Sequence, residues 1–258
     1  MTAPDSGSLA GRAVLVTGGS SGIGRAIALA CARAGADVAV TYRVNARGGQ
    51  AVCEAITALG RRAVALPLEL EDVAAIAEAG RAARGALGRL DAWINNAGAD
   101  VLTGDAAARS DLEKLDLLMR VDLRGTVAAS WCAAEMLAAE PGGGVIVNMS
   151  WDHVATGMAG PMPQLFAAVK GGVQAFSKSL ARSVAPRVRV NVIAPGWIST
   201  AFGDSLDDAA RDAIARTTPL ARWGTPEDVA AAAVFLASPA AAFITGHTIV
   251  VGGGAVMA

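Results

Sequence analysis

The sequence predicts an α/β fold with a Rossmann-type, doubly wound sheet, and three observations support this prediction. Short β-branched runs alternate with longer alanine-rich stretches along the whole chain. Most of the short runs are continuously apolar, as expected for parallel strands that are covered on both faces. A glycine-rich turn joins the first run to the first alanine-rich stretch. We therefore expect a single domain over residues 1–258, with seven parallel strands and helices on both faces.

The elements alternate along the chain, except that two predicted helices separate the last two strands. Each predicted strand is a short run rich in Val, Ile, Leu and Ala, and each predicted helix is a longer stretch with apolar residues at helical spacing. The segment Trp151–Leu165 contains two glycines and two prolines and is predicted to be a loop. The strands are predicted at Ala13–Thr17, Asp37–Arg43, Arg62–Leu66, Leu90–Ile94, Val145–Met149, Arg187–Ile193 and Thr248–Val251. The helices are predicted at Gly24–Ala34, Gly48–Leu59, Val73–Leu87, Ser110–Glu140, Phe166–Ala185, Leu206–Ala215 and Pro226–Ala237.

Composition excludes several classes of partner. The formal net charge is −1 and the basic residues are scattered, which argues against nucleic acid and anionic membrane as partners. The N-terminus lacks the features of a signal peptide, and the most apolar stretch, Val229–Ile244, is interrupted by Pro239. We therefore expect a cytoplasmic protein with no membrane span. No His, Cys or carboxylate cluster has the spacing of metal ligands, so no metal is predicted.

The turn after the first strand predicts a phosphate-binding site. Glycines at positions 18, 22 and 24 give the spacing G-x-x-x-G-x-G between a strand and a helix. Such a turn lets the backbone approach a pyrophosphate, and the helix N-terminus supplies free N–H groups. The alternative is an ordinary tight turn between a strand and a helix.

The end of the second strand bears on the choice of nucleotide. It reads Thr41-Tyr42-Arg43 and carries no carboxylate to accept hydrogen bonds from the ribose hydroxyls of NAD. Arg43 is suited to bind a 2′-phosphate through charge-assisted hydrogen bonds. NADP(H) is therefore the predicted cofactor, unless Arg43 is simply a solvated surface residue.

Motifs spread over nearly the whole chain resemble those of the short-chain dehydrogenase/reductase family. They are the glycine turn, Asn95–Gly98, Pro195-Gly196, Arg222–Ala230 and Phe243–Gly246. The resemblance implies a nicotinamide cofactor, a small-molecule substrate and a homotetramer or homodimer. It also implies that the cofactor is contacted by Gly18, Ser20, Ser21, Gly22, Ile23, Gly24, Tyr42, Arg43, Glu69, Leu70, Asn95, Ala97, Gly98, Lys170, Pro195, Gly196, Ile198 and Thr200.

The catalytic positions depart from the family pattern. The family uses Asn, Ser, Tyr and Lys, and the spacing Tyr-x-x-x-Lys puts two of them on one helix face, where Lys lowers the Tyr pKa. Here the segment reads Phe166-Ala-Ala-Val-Lys170, and the only tyrosine of the chain, Tyr42, ends the second strand. Lys170 is expected to hold the nicotinamide ribose. Asp122 stands where the family has Asn.

The serine position is ambiguous. Counting on from the fifth strand places Trp151 there, whereas counting back from Phe166 places His153 there, with Asp152 between them. Asp152 could instead cap a turn, His153 could point to solvent, and Asp122 could be a structural hydrogen-bonding residue. The candidate catalytic residues are thus Lys170, Asp152, His153, Asp122, Phe166 and Trp151.

These departures favour a particular reaction. Ketone reduction needs a proton donor aimed at the oxygen, and Phe166 has none. An iminium carbon accepts hydride without a proton, and nearby carboxylates and aromatic rings favour its positive charge. The leading hypothesis is NADPH-dependent reduction of an iminium or imine, in a biosynthetic or secondary-metabolite pathway. Carbonyl reduction with Asp152 or His153 as the acid stays open. So do a non-redox cyclase, dehydratase or isomerase that retains NADP, and a cofactor-binding pseudoenzyme.

Overall fold

The computed structural model describes residues 8–204 and 206–257. The residues on which the signal-peptide prediction depends therefore lie almost entirely outside the described part. In the part that is described, no helix has both the length and the apolar character needed to cross a bilayer.

One parallel sheet organises the described residues. Its seven strands lie in the order β3-β2-β1-β4-β5-β6-β7, which confirms the predicted doubly wound α/β architecture. The observed bounds differ from the predicted ones by one or two residues at most strand ends. The strands are β1 (Ala13–Val16), β2 (Asp37–Tyr42), β3 (Ala63–Pro67), β4 (Ala92–Asn95), β5 (Gly144–Met149), β6 (Val188–Pro195) and β7 (Thr248–Val251).

Helices cover both faces of this sheet because the inner strands are apolar on both faces. In β1, Val14 and Val16 pack with one set of helices, and Ala13 and Leu15 pack with the other, as the alternation of strand side chains requires. The helices are α1 (Gly22–Arg33), α2 (Ala46–Ala58), α3 (Val73–Leu87), α4 (Asp111–Leu118), α5 (Thr126–Ala139), α6 (Pro161–Val184), α7 (Ala201–Asp204), α8 (Asp208–Thr217) and α9 (Pro226–Ala237). The helices α1, α2 and α9 lie on the first face, and α3, α5 and α6 lie on the second.

Two predictions about the helices are wrong. The predicted helix Ser110–Glu140 is divided into α4 and α5 by a π-helical segment at Met119–Gly125. The predicted loop Trp151–Leu165 contains a short helical turn at Asp152–Val154, and α6 begins at Pro161 rather than at Phe166. Proline is well placed in a first helical turn, because its missing N–H would have no intrahelical partner there.

A buried polar network joins the centre of the sheet to two helices. Asn95 and Asn148 are register partners on β4 and β5, and Asn95 Nδ2 donates to Asn148 Oδ1 at 2.8 Å and to Ser130 Oγ at 3.1 Å. Asn148 Nδ2 donates to Ser177 Oγ at 2.9 Å. Ser130 lies on α5 and Ser177 on α6, and all four residues are buried. The network therefore fixes both helices relative to the strands.

Replacing Asn148 is expected to destabilise the fold. Asn148→Leu fills a similar volume but removes one buried hydrogen bond from each of Asn95, Ser130 and Ser177, and each lost bond costs about 0.5–1.5 kcal/mol. We expect the free energy of unfolding, measured by urea denaturation, to fall by about 3 kcal/mol. Gln50→Leu on the exposed face of α2 is the control and should change it by less than about 0.5 kcal/mol. An unchanged urea midpoint for Asn148→Leu would contradict this role.

Candidate active site

A cleft of about 420 Å³ opens at the C-terminal ends of β1, β2, β3 and β4. This is where ligands bind in doubly wound sheets. Of the residues predicted to contact a nucleotide, the wall includes Gly18, Ser20, Ser21, Ile23, Gly24, Tyr42, Arg43, Glu69, Leu70, Ala97 and Gly98.

The glycine turn is locked against the turn that follows β4. Thr17 Oγ1 accepts hydrogen bonds from the backbone N–H groups of Asn96 and Ala97, each at 3.0 Å. Asn96 Nδ2 donates to the carbonyl oxygens of Thr17 and Gly18 at 3.1 and 3.3 Å. A Cβ atom on Gly24 would collide with the Gly18 carbonyl, so only glycine fits at this close approach.

The N-terminus of α1 faces this cleft without a side-chain cap. Ser21 precedes the helix, but its hydroxyl makes no capping hydrogen bond, so the first backbone N–H groups are free for a ligand. Free N–H groups at the positive end of a helix dipole suit a pyrophosphate. The geometry of the turn and the helix therefore fits a dinucleotide.

Arg43 lies at the end of the cleft that follows β2. It is exposed and lines the cleft next to Tyr42. Within residues 8–204 and 206–257, no carboxylate forms an ion pair with it. Its guanidinium is thus available to a ligand.

A second cavity of about 390 Å³ continues from the cleft, because Ile23 and Asn96 line both. Among its described lining residues, Lys170 is the one titratable side chain. The rest of the wall is mostly apolar. It comprises Leu102, Met149, Ser150, Trp151, Met158, Met162, Pro163, Phe166, Pro195, Gly196, Trp197, Ile198, Thr200 and Trp223.

Lys170 is held by a buried ion pair. Its Nζ lies 2.8 Å from Asp122 Oδ2, and the two side chains are 13% and 3% exposed. Asp122 sits in the π-helical segment, and its Oδ1 accepts a hydrogen bond from the Ala99 N–H at 2.7 Å. The carboxylate thus compensates the ammonium charge and ties α6 to the loop after β4.

Phe166 occupies the cavity wall one turn before Lys170 on the same face of α6. Its ring centroid lies 6.1 Å from that of Trp151, which also lines the cavity. Neither ring offers a hydroxyl. Ser150 directly precedes Trp151, and its hydroxyl already makes two hydrogen bonds within the protein. Its Oγ donates to the Lys170 carbonyl at 2.9 Å and accepts from Gln174 Nε2 at 3.0 Å.

Asp152 and His153 are paired with each other and lie outside the cavity wall. Asp152 Oδ1 accepts from the His153 N–H at 2.8 Å and lies 2.6 Å from His153 Nδ1. Asp152 Oδ2 is buried without a hydrogen-bond partner. It points between Gly196 and Gly252, where Cβ atoms on these glycines would approach it to 2.5 and 2.6 Å. Burial raises the pKa of Asp152, although hydrogen bonds from His153 oppose that shift.

Comparisons with known proteins agree with this geometry. A family model described as enoyl-(acyl carrier protein) reductase matches residues 18–256. A 3-oxoacyl-[acyl-carrier-protein] reductase from Synechocystis is 35% identical over 252 residues, which cover 96% of this chain and 98% of the relative. The chain is a short-chain dehydrogenase/reductase.

Two solved structures of similar proteins contain nicotinamide cofactors. A short chain dehydrogenase from Burkholderia cenocepacia in complex with NADP is 36% identical, with a TM-score of 0.86 and coverage of 96% of this chain and 98% of that one. A 7α-hydroxysteroid dehydrogenase complexed with NADH and 7-oxo glycochenodeoxycholic acid is 29% identical, with a TM-score of 0.88 and coverage of 100% and 99%. A nicotinamide cofactor is therefore supported for this short-chain dehydrogenase/reductase, whereas the neighbours differ in the nucleotide that they bind.

Two of the predicted cofactor residues line neither the cleft nor the second cavity. The Asn95 side chain points into the core, where it is bonded to Asn148 and Ser130, and Asn96 lines the cleft instead. Gly22 lies in the turn with a φ of 52° but is not part of the wall. The remaining predicted residues, Lys170, Pro195, Gly196, Ile198 and Thr200, line the second cavity.

Sequence reasoning missed several wall residues of this short-chain dehydrogenase/reductase. Trp197 directly follows the Pro195-Gly196 motif, and Trp223 lies inside the Arg222–Ala230 motif. The motifs could therefore have indicated both tryptophans as wall residues. Met158 and Met162 lie within the predicted loop Trp151–Leu165, where no motif marks them. In the part of the chain that the structure describes, no three His, Cys, Asp or Glu side chains are grouped to hold a metal ion.

The close approach at Gly24 leads to a prediction about cofactor binding. Gly24→Ala is expected to displace the turn and to raise the dissociation constant for NADPH, measured by fluorescence titration, by about tenfold or more. Gly85→Ala is the control, because a Cβ atom at Gly85 on α3 meets nothing within 4 Å. Equal NADPH affinity in the two variants would contradict the assigned role of the turn.

Proposed function

We propose that the chain is an NADP(H)-dependent reductase that transfers hydride to the C=N bond of a small iminium or imine substrate in a biosynthetic, secondary-metabolite pathway. One observation carries this proposal: the single titratable group among the described residues of the cavity wall, Lys170, is neutralised by Asp122, and Phe166 has no proton to give. Among the described wall residues, none is thus an unpaired acid of the kind that ketone reduction requires.

Several features support NADP(H) as the cofactor. Gly18, Gly24 and the uncapped start of α1 form a cradle for a pyrophosphate. Arg43 is exposed and without an ion-pair partner among the described residues, at the end of the cleft where a 2′-phosphate would bind. The similar Burkholderia protein contains NADP. When bound, the nicotinamide would supply the hydride, and Lys170 on the wall of the second cavity would hold its ribose.

The chemistry of the wall favours a substrate that is already cationic. A carbonyl oxygen becomes an alkoxide and needs a proton, whereas reduction of an iminium yields a neutral amine. A free ammonium beside the substrate would repel a cation, but Asp122 at 2.8 Å cancels the charge of Lys170. The faces of Trp151 and Phe166 offer favourable contacts to positive charge.

Asp152 and His153 have less support as substitute acids. Both lie outside the cavity wall, and the free oxygen of Asp152 points between two glycines. Asp122 is engaged by Lys170 and by the Ala99 N–H. We therefore assign Asp122 the role of orienting Lys170, and we leave carbonyl reduction as an outcome that the experiment below can reveal.

We also propose that the chain assembles into a homotetramer or homodimer. Trp131 on α5 is 57% exposed and packs edge-on against Phe176 on α6, at a centroid distance of 6.1 Å. A large ring exposed to this extent is suited to burial against a second copy.

The choice of nucleotide can be tested at Arg43. Arg43→Ala removes the expected partner of the 2′-phosphate and should raise the dissociation constant for NADPH by about tenfold, with little effect on NADH. Arg47→Ala is a matched control, since Arg47 is an exposed neighbour on α2 that does not line the cleft. If the wild-type protein binds NADH more tightly than NADPH, the proposed cofactor preference is wrong.

The reaction can be tested with pairs of substrates that share one carbon skeleton. We expect a cyclic imine and its N-methyl iminium to be reduced with oxidation of NADPH, and the matched cyclic ketone to be inert. Because no protein acid is required, kcat for the N-methyl iminium should stay flat between about pH 6 and pH 9.

Three other results of that assay would contradict the proposal. Activity on ketones alone would indicate a carbonyl reductase, with Asp152 or His153 as the candidate acid. Turnover without a change in NADPH absorbance would indicate a cyclase, dehydratase or isomerase. NADPH binding without turnover of any substrate would indicate a pseudoenzyme.

A further inference from the structure

Aromatic rings from separate loops surround the second cavity. Trp151 follows β5, Trp197 follows β6, and Trp223 precedes α9, and all three line the cavity. They form two pairs of rings: Trp151 with Phe166 at 6.1 Å, and Trp197 with Trp223 at 5.6 Å between centroids. Met149, Met158 and Met162 fill the wall, and thioethers adapt well to flat aromatic surfaces.

Trp151 is fixed from behind by residues that do not reach the cavity. Its indole is stacked on the His153 imidazole, with centroids 5.1 Å apart and planes inclined by 26°. His153 is held through both its backbone N–H and its Nδ1 by Asp152 Oδ1. The Asp152 side chain is fully buried, and its second oxygen fits between Gly196 and Gly252. Asp152 therefore anchors His153, and His153 sets the plane of Trp151.

Trp223 is fixed in a similar way by α8. Trp223 Nε1 donates to the Arg211 carbonyl at 2.9 Å, and the Arg211 guanidinium carbon lies 5.2 Å from the Trp223 ring centroid. The cavity thus has rings whose orientations are set before a substrate binds. Preorganised rings lose little entropy on binding, so they favour a ligand that matches their planes.

The same wall disfavours substrates with an acidic group. Among the described lining residues Lys170 is the one basic side chain, and its ammonium is ion-paired with Asp122. A carboxylate or phosphate on the substrate would lose its hydration without gaining a cation.

From these observations we propose that the enzyme selects substrates with an uncharged, planar aromatic ring that lies against Trp151, and that Asp152 and His153 are positioning residues for this indole. The inference rests on the proposed reduction of C=N bonds, and it names the class of substrate: a cyclic imine fused to an aromatic ring. It assigns Asp152 and His153 a role in specificity rather than in proton transfer.

A binding experiment tests the class of substrate without any turnover. Isothermal titration of the NADP⁺-loaded protein compares tetrahydroisoquinoline with decahydroisoquinoline, which has the same skeleton and charge but no aromatic ring. We expect the aromatic amine to bind about tenfold more tightly. Equal or weaker binding of the aromatic amine would overturn the inference.

Turnover separates this inference from the function on which it rests. We expect dihydroisoquinoline to be reduced with a kcat/KM at least about tenfold higher than that of the aliphatic imine tetrahydropyridine. Preferred binding of the aromatic amine without reduction of either imine would contradict the proposed reaction and leave the aromatic preference standing. Reduction of both imines with equal efficiency would overturn the aromatic preference and leave the reaction standing.

Variants at His153 distinguish a positioning role from an acid role. His153→Ala should lower the ratio of kcat/KM for dihydroisoquinoline over tetrahydropyridine by about fivefold, mainly through KM, because the indole loses its support. His153→Phe keeps a stacked ring and should restore the ratio. His247→Ala, at the exposed histidine before β7, is the control. An equal loss of kcat on both imines in His153→Ala and His153→Phe, with an altered pH profile, would overturn the positioning role.

Discussion

The buried hydrogen bonds of Asn148 fix the strands and the helix that carry the active-site residues. Asn148 Oδ1 accepts a hydrogen bond from the Asn95 amide on β4, and Asn148 Nδ2 donates one to Ser177 Oγ on α6. Buried amide groups have to be paired, so the strand register and the position of α6 are fixed together. Lys170 lies about two helical turns before Ser177 on the same face of α6. The bond that holds Ser177 to the sheet thereby directs Lys170 and Phe166 toward the C-terminal ends of the strands.

A second constraint acts on the charge of this site. An ammonium as buried as that of Lys170 needs a counter-ion, and Asp122 provides it from the π-helical segment. The carboxylate also accepts the Ala99 N–H, so three parts of the chain meet at one residue. The result is a positioned ion pair with no net charge, which is a different electrostatic setting from an ammonium that activates a tyrosine. A cationic substrate is compatible with this setting.

Sequence patterns were sufficient for the order of the elements and for the glycine turn, because both depend on local periodicity and on backbone sterics. They could not show the π-helical segment. Ser110–Glu140 has apolar residues on several sides, so one widened turn does not visibly shift the spacing of its apolar residues. Asn95 and Asn96 are identical neighbours, and which of them faces the core depends on the pleat of β4 at its last residue. The direction of Asp152 is set by Gly196 and Gly252, which are distant in sequence.

The missing acid and the aromatic wall have a common physical consequence. Where no unpaired acid among the described wall residues can neutralise a developing charge, the proposed reaction uses a substrate that already carries a charge, which the hydride removes. Burying that cation costs hydration energy, which ring faces recover only in part and only when they are correctly placed. The contacts behind Trp151 and Trp223 supply that placement, because each ring is held by a residue that does not line the cavity. In the proposed reduction of a C=N bond, rigid rings and a lysine paired with Asp122 are therefore complementary requirements, and a change in either should weaken the selection for such a substrate.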